Sequence, residues 1–280
     1  MDLDVLFRAL RRLFGDGLAS FQSLLIWLVA VGLVFVLLER VWYARRQAVM
    51  RQGLRQDLAL YFIGGLVPPL FSAAATIGCL WLGRKLLPQA WFDSVHALPI
   101  WLLLLLLVVA GDALYYWAHR LSHQIPWLWR LHAVHHSPTE MDWLVNTRAH
   151  PLDLVFSHVG ASIPLLILGL TLPPRADLGA LLFGMTLFNT YWAFFIHSNC
   201  RLRLGLLEQL ITTPAFHHWH HTNDSAEVRN KNYAALFPWL DRIFGSHYLP
   251  KHLPGSYGSD TPVPEGIRAV LIAPFKREPK

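Results

Sequence analysis

The chain has 280 residues, of which 54% are hydrophobic and only 15% charged, with a net charge of +6. A soluble globular domain carries about 25% charged residues, so the composition excludes an ordinary water-soluble fold and favours a helical membrane protein. No basic run with interleaved aromatics tracks a phosphate backbone, so nucleic acid is excluded as the partner, and two cysteines without a C-x-x-C pair support neither a disulfide framework nor an iron–sulfur cluster.

In chain order, Leu3, Leu6, Phe7, Leu10, Leu13 and Phe14 recur at helical spacing beside Arg8, Arg11 and Arg12, the pattern of a helix lying in the membrane interface. A crossing of the hydrocarbon needs about 20 mostly apolar residues. Phe21 to Leu38 supplies a charge-free run, and it ends at Glu39-Arg40 without a small-residue cleavage site, so it reads as an uncleaved span. Leu58 to Gly83 is also free of charge, but Pro68-Pro69 must kink or break it. Leu98 to Ala118 is the strongest span and carries one charge, Asp112. Leu154 to Leu172 and Leu178 to His197 form a helical hairpin about Pro173-Pro174-Arg175. The expected fold is therefore all-α and polytopic, with about four to five spans. It divides into an N-terminal part (1–97) with the interfacial helix and two spans, a catalytic part (98–252), and a Pro-rich tail (253–280), integrated as one domain.

Chemistry is concentrated in three histidine boxes, His119-x3-His123, His132-x2-His135-His136 and His217-x2-His220-His221. Spacings of three and four residues put the rings of a box on one helical face, within reach of a shared ion. Eight rings exceed what one ion can use, so two metals are the economical reading, with His197 and His150 as candidates for extra ligands or supports. Imidazole suits zinc, iron, copper or nickel. A structural zinc closes with four ligands, and Arg120 stands where an H-E-x-x-H protease has its glutamate. Chemistry alone leaves two irons and two zincs both open. Lys and Arg are in excess on the side of the spans that carries the boxes, so the positive-inside rule places the metal site at the cytosolic face.

Asp112, Asn189 and His218 are candidates for supporting the boxes. Asp112 is costly within an apolar span; it either accepts the ring N–H of a histidine from another box or pairs with an arginine or Asn189. His218 points about 100° from His217 on a helix, which favours support over ligation.

The boxes lie within D-A-L-Y-Y-W-A-H-R-L-S-H from Asp112 and R-L-H-A-V-H-H-S from Arg130, and a third segment, N-Y-A-A-L-F-P-W-L-D-R-I-F-G-S, starts at Asn232. This set resembles the fatty acid hydroxylase and sterol desaturase superfamily over residues 98–249. The resemblance implies an integral membrane, non-haem di-iron oxygenase whose metals are held by His119, His123, His132, His135, His136, His217, His220 and His221, with His197 where some members carry a further ligand. It implies dioxygen as oxidant, a membrane lipid as substrate (a sterol, fatty acyl chain, alkylglycerol or carotenoid), hydroxylation or desaturation as outcome, and electrons from a separate reductase, ferredoxin-like protein or cytochrome. The expected location is the bacterial inner membrane, or the endoplasmic reticulum in a eukaryote. Ala234, Leu240 and Ser246 depart from the usual Gly, Trp and Thr, with Trp239 one place early. The rival readings are a metal transporter, which would carry its ligands in mid-membrane, and a catalytically silent zinc protein.

Overall fold

The computed structural model describes residues 17–169 and 176–276. The expected interfacial helix of residues 3–14 and the Pro173-Pro174-Arg175 turn lie outside them. Among the described residues the chain is helical with no strand, and two isolated bridges, Tyr43 with Cys200 and Thr222 with Tyr257, are its only β pairings.

Helix α1 (Gly17–Val41) is apolar until Glu39. The second apolar run breaks as its prolines demand: α2 (Leu54–Leu66) stops, and α3 (Pro68–Leu86) starts with Pro68 and Pro69 in its first turn, where a missing N–H costs no intrahelical bond. A short amphipathic α4 (Gln89–His96) precedes α5 (Ile100–Gln124). At 1.5 Å per residue α5 is about 37 Å long, more than the roughly 30 Å of hydrocarbon, so its last turns, which carry the first box, reach past the apolar layer. Ile125 is extended, as the residue before Pro126 prefers. The chain turns there into α6 (Pro126–His136), and the second box folds back against the first.

A 3-10 turn (Trp143–Thr147) follows, capped by the Asp142 carboxylate at the amides of Leu144 and Val145. Helices α7 (Pro151–Leu168) and α8 (Ala176–His197) occupy the predicted hairpin positions, and α7 packs between α3 and α5. Three stretches of the described residues are long and apolar enough to cross a membrane, Ser20–Val41, Leu54–Leu86 and Ile100–Gln124. The remaining two expected spans correspond to α7 and α8. The second 3-10 turn (Gly205–Gln209), α9 (Pro214–His220), α10 (Trp239–Ile243) and α11 (Ile267–Ile272) complete the fold.

Two packing centres fix the histidine-bearing helices. Val31 and Phe35 of α1 pack with Trp143, Leu144 and Phe194, while Tyr116 of α5 packs with Tyr233, Ala234 and Leu240. Residues 254–276 pack on the rest of the chain: Val270 of α11 is buried with Leu60 and Val134, and Asp224 accepts the amides of Gly255 and Ser256.

Below the histidines lies a buried ion network. Arg51 grips Asp142 through Nε and Nη2 at 2.7 and 2.6 Å and also reaches Asp57 at 2.6 Å, and Arg148 meets Asp57 at 2.9 Å. It ties the start of α2 to both ends of the Trp143–Thr147 turn. Asp57→Ala removes the shared carboxylate and leaves two guanidinium groups undercompensated, which costs about 3–5 kcal/mol. The expected outcome is a lower unfolding midpoint in detergent for Asp57→Ala than for the exposed Arg55→Ala.

Candidate metal centre

Box one ends α5, box two ends α6, and box three is set by α9, whose start is fixed by Thr213 accepting from the Phe216 amide and by Pro214 in the first turn. Their rings, with His197 at the end of α8, converge into two groups. In one group His119, His123, His132, His136 and His220 each offer a nitrogen within 4.8 Å of the others; in the second, His135, His197, His217 and His221 do the same. The groups adjoin, with the His136 and His221 rings stacked at 4.5 Å between centroids. Contrary to the expectation that each box serves one ion, the three-histidine boxes are split. The i, i+4 pairs His132/His136 and His217/His221 each enter one group, while His135 and His220 cross to the other. A ring three residues on is rotated about 60° from its i neighbour, enough to face the adjacent group.

Hydrogen bonds at the back of the rings set their tautomers. His119 Nδ1–H donates to the Tyr233 carbonyl at 2.8 Å, His123 to Asn230 Oδ1 at 2.9 Å, His132 to Asp153 Oδ2 at 2.9 Å and His220 to the Lys231 carbonyl at 2.8 Å. In the second group His135 donates to the Arg148 carbonyl at 3.1 Å and His197 to that of Ala193 at 2.7 Å. A carbonyl can only accept, so the opposite nitrogen, Nε2, is left as a lone pair. These lone pairs face one another: Nε2 of His119 and His132 are 3.1 Å apart, and so are those of His135 and His197. Neither contact can be a hydrogen bond in that tautomer. With nitrogen–metal distances near 2.1 Å, adjacent ligands at right angles stand about 3.0 Å apart, so the spacing suits a shared cation. Nε2 of His123, His136 and His220 is buried without a protein partner, which fits the same reading, and in the second group Nε2 of His217 faces that of His197 at 2.9 Å and that of His221 at 3.2 Å.

Burial, reinforced by neighbouring rings, holds His132, His136, His217, His220 and His221 well below the usual histidine range. They are therefore neutral at physiological pH, the form that binds a metal.

Residues 104–246 match the model of the fatty acid hydroxylase family. The chain belongs to that family. Among its curated relatives it is 36% identical to an ornithine lipid hydroxylase of Rhizobium tropici over 61% of this chain and 50% of the relative. It is 32% identical to human alkylglycerol monooxygenase over 47% of this chain and 27% of the relative, and 29% identical to a Delta(7)-sterol 5(6)-desaturase of Aspergillus fumigatus over 82% and 73%. The chain spans half or less of the length of the first two. No solved structure matches.

Within this family member, the residues expected to support the boxes take other places. Among the described residues Asp112 accepts no histidine N–H and pairs with neither an arginine nor Asn189. Its two oxygens take the amides of Leu236 and Phe237 at 3.0 and 2.8 Å, because the loop that closes over α5 brings those amides directly to it. Asn189 is exposed on α8, two turns from His197. His150 stands outside both groups: its Nδ1 accepts from the Leu152 amide and its Nε2 donates to the Leu271 carbonyl, so it joins the start of α7 to the C-terminal segment. His218 is buried but turned away, donating to the Ser198 carbonyl and accepting from the Tyr257 hydroxyl.

Sequence reasoning missed Asp153, the carboxylate that holds His132, although an acid in the first turn after a proline-started helix was visible. It also missed the loop 230–233. Asn230 and Asn232 adopt left-handed backbone with φ of 61° and 60°, a conformation asparagine tolerates. That loop presents Asn230 Oδ1 and the carbonyls of Lys231 and Tyr233 to three rings of the five-histidine group. Asp241 secures it by accepting the amides of Tyr233 and Ala234. Ser246, which replaces the usual threonine, keeps the hydroxyl that donates to Asp241.

Two measurements follow from this geometry. Asp153→Asn should weaken metal retention by about 10–100-fold, read as metal content after titration with a chelator, with little change in helix content. Because burial lowers the folded-state values, with His218 down to about 4, these rings take up protons on unfolding once the pH falls below the unfolded value of about 6.5. The metal-free chain should therefore be most stable above about pH 6.5 and lose stability as pH falls from there toward about 4, measured as the unfolding midpoint against pH.

Proposed function

We propose that this chain is a membrane-bound di-iron oxygenase that hydroxylates or desaturates an unactivated C–H position of a lipid, using dioxygen and electrons from a separate donor protein. The observation that carries the reading is the pair of adjoining histidine groups, with inward-facing lone pairs at ligand spacing, at the ends of apolar helices. His119, His123, His132, His136 and His220 would hold one iron, and His135, His197, His217 and His221 the other. When bound, the irons supply dioxygen activation, which no side chain here can perform.

The chain's own residues do the rest. Asp153, Asn230 and the carbonyls of Lys231, Tyr233, Arg148 and Ala193 hold six rings in one tautomer and orientation, so the site needs little rearrangement on loading. Tyr233, packed on the rings of His119, His123 and His220, and Trp129, packed on those of His123, His132 and His136, keep bulk water from the five-histidine group. A polar cavity of about 110 Å³ against His123, His136 and His220, bordered by Asn230, Thr222 and Asp260, has room for a few waters and is suited to carrying protons to the five-histidine group. Apolar flanks on α1, α3 and α5 suit a substrate arriving from within the bilayer. Ligands at helix ends, rather than in mid-membrane on several spans, favour this reading over a transporter. The relatives' names point to lipids of three kinds and support a lipid substrate without choosing one. We infer a multi-pass topology with the centre on the cytosolic face, in the bacterial inner membrane or, in a eukaryote, the endoplasmic reticulum.

Expression of the full chain with a reductase partner, followed by mass spectrometry of total lipids, tests the proposal. Lipids that gain one oxygen or lose two hydrogens are expected with the wild-type chain and should vanish in the His135→Ala/His136→Ala variant. Identical lipid profiles across the lipid classes would sink it.

A further inference from the structure

A second cavity, of about 750 Å³, lies away from the polar one, between α1, the loop after it and the turn that begins at Trp143. Its inner part is hydrocarbon: Leu33, Val36 and Leu37 of α1 line it, with Leu54 and Leu58 opposite. Its mouth is cationic, for Arg40, Arg45 and Arg46 all border it. The two halves fall at the end of an apolar span, where hydrocarbon meets headgroups. The size and the pattern of apolar walls with a few placed charges are those of a small-ligand site.

The charge at the mouth is not neutralised. Among the described residues no carboxylate lies within ion-pair distance of Arg40, Arg45 or Arg46. Arg45 is spent on structure, bonded to the carbonyls of Pro254 and Gly255 and stacked over the Tyr257 ring at 4.5 Å. Arg46 bonds the Tyr43 hydroxyl at 3.3 Å and lies over the same ring. Arg40 is exposed on the last turn of α1. The two acids that border the cavity are occupied: one oxygen of Glu39 accepts the amides of Trp143 and Asn199, each at 2.8 Å, and Asp142 is held by Arg51 at 2.7 and 2.6 Å. A neutral lipid would leave the guanidinium groups uncompensated beside hydrocarbon, and a soluble anion would leave the apolar wall unfilled.

We propose that this groove binds a membrane phospholipid with an anionic headgroup, its acyl chain along Leu33, Val36 and Leu37 of α1 and its phosphate at Arg40 and Arg46. The site stands independently of the oxygenase reading, because it uses no histidine. Its floor nevertheless reaches Asn199, two residues after His197, and the loop above it pairs with that segment through Ala44 N–H to the Asn199 carbonyl at 2.8 Å. A seated lipid therefore braces the strand of chain that leaves the four-histidine group.

The test uses the full chain in nanodiscs of equal parts phosphatidylglycerol and phosphatidylcholine, extracted into mild detergent, with retained lipid counted by native mass spectrometry. The wild type should retain phosphatidylglycerol in excess. Arg40→Gln and Arg46→Gln should each lower that excess by about fivefold, the worth of one basic residue at an anionic surface, and the exposed Arg55→Gln, outside the groove, should leave it unchanged. Val36→Trp, which fills the apolar half, should abolish retention of either lipid; Leu33→Trp, at a position 62% exposed, replaces it should the first variant not fold. Equal retention of both lipids, retention of neither by the wild type, an unchanged excess in the arginine variants, or retention that survives a filled groove would each overturn the proposal.

Discussion

The structure depends on the direction in which each histidine ring gives away its one proton. An imidazole that donates from Nδ1 to a fixed oxygen must turn a lone pair outward from Nε2. Six rings are committed in this way, by a carboxylate, an amide oxygen and four backbone carbonyls. Pointing several lone pairs at one another within 4.8 Å is unfavourable in a buried, low-dielectric place, and burial denies the rings the alternative of protonation. A cation resolves both costs together. The polypeptide has therefore placed the unfavourable part of metal binding, the ordering and desolvation of the ligands, within its own folding.

That arrangement explains features that have no metal-facing role. Asp112 and Asp241 are buried carboxylates that hold backbone amides of the 233–237 loop. The adjoining residues 230–233 in turn supply acceptors to His119, His123 and His220. Asp112 thus acts on the centre through two intermediaries, an amide pair and a carbonyl. The Arg51, Asp57, Asp142 and Arg148 network plays the corresponding part on the other flank. Arg148 is both an ion partner of Asp57 and, through its carbonyl, the acceptor for His135. Ion pairs without solvent are a poor source of stability in themselves, and their use here is to fix a backbone carbonyl against a ring.

The membrane and the metal centre impose compatible demands. Apolar helices must satisfy their backbone internally, so the polar chemistry is displaced to their ends, and the chain folds back before Pro126 to bring the second box against the first. At the end of α1, Arg40 and Arg46 border the apolar groove with no carboxylate partner among the described residues.

The sequence by itself determined the class and the inventory. Long uncharged runs can satisfy themselves only as helices, and histidines at three- and four-residue spacing can share a helix face; both are local properties of the chain. It also carried the family resemblance and eight of the nine converging rings, with His197 foreseen as the ninth. Tertiary structure decided the grouping. Whether His135 joins His132 or His221 depends on how α6, α8 and α9 cross, and that is set by side chains far apart in sequence, such as Phe35 against Trp143 and Tyr116 against Tyr233. It also decided the partners of the rings. Asp153 and the carbonyls of residues 231 and 233 carry no signal in a spacing pattern, because a hydrogen-bond acceptor is chosen by where the backbone passes, and Asp112, which looked like a ligand support, was drawn to the two amides nearest it.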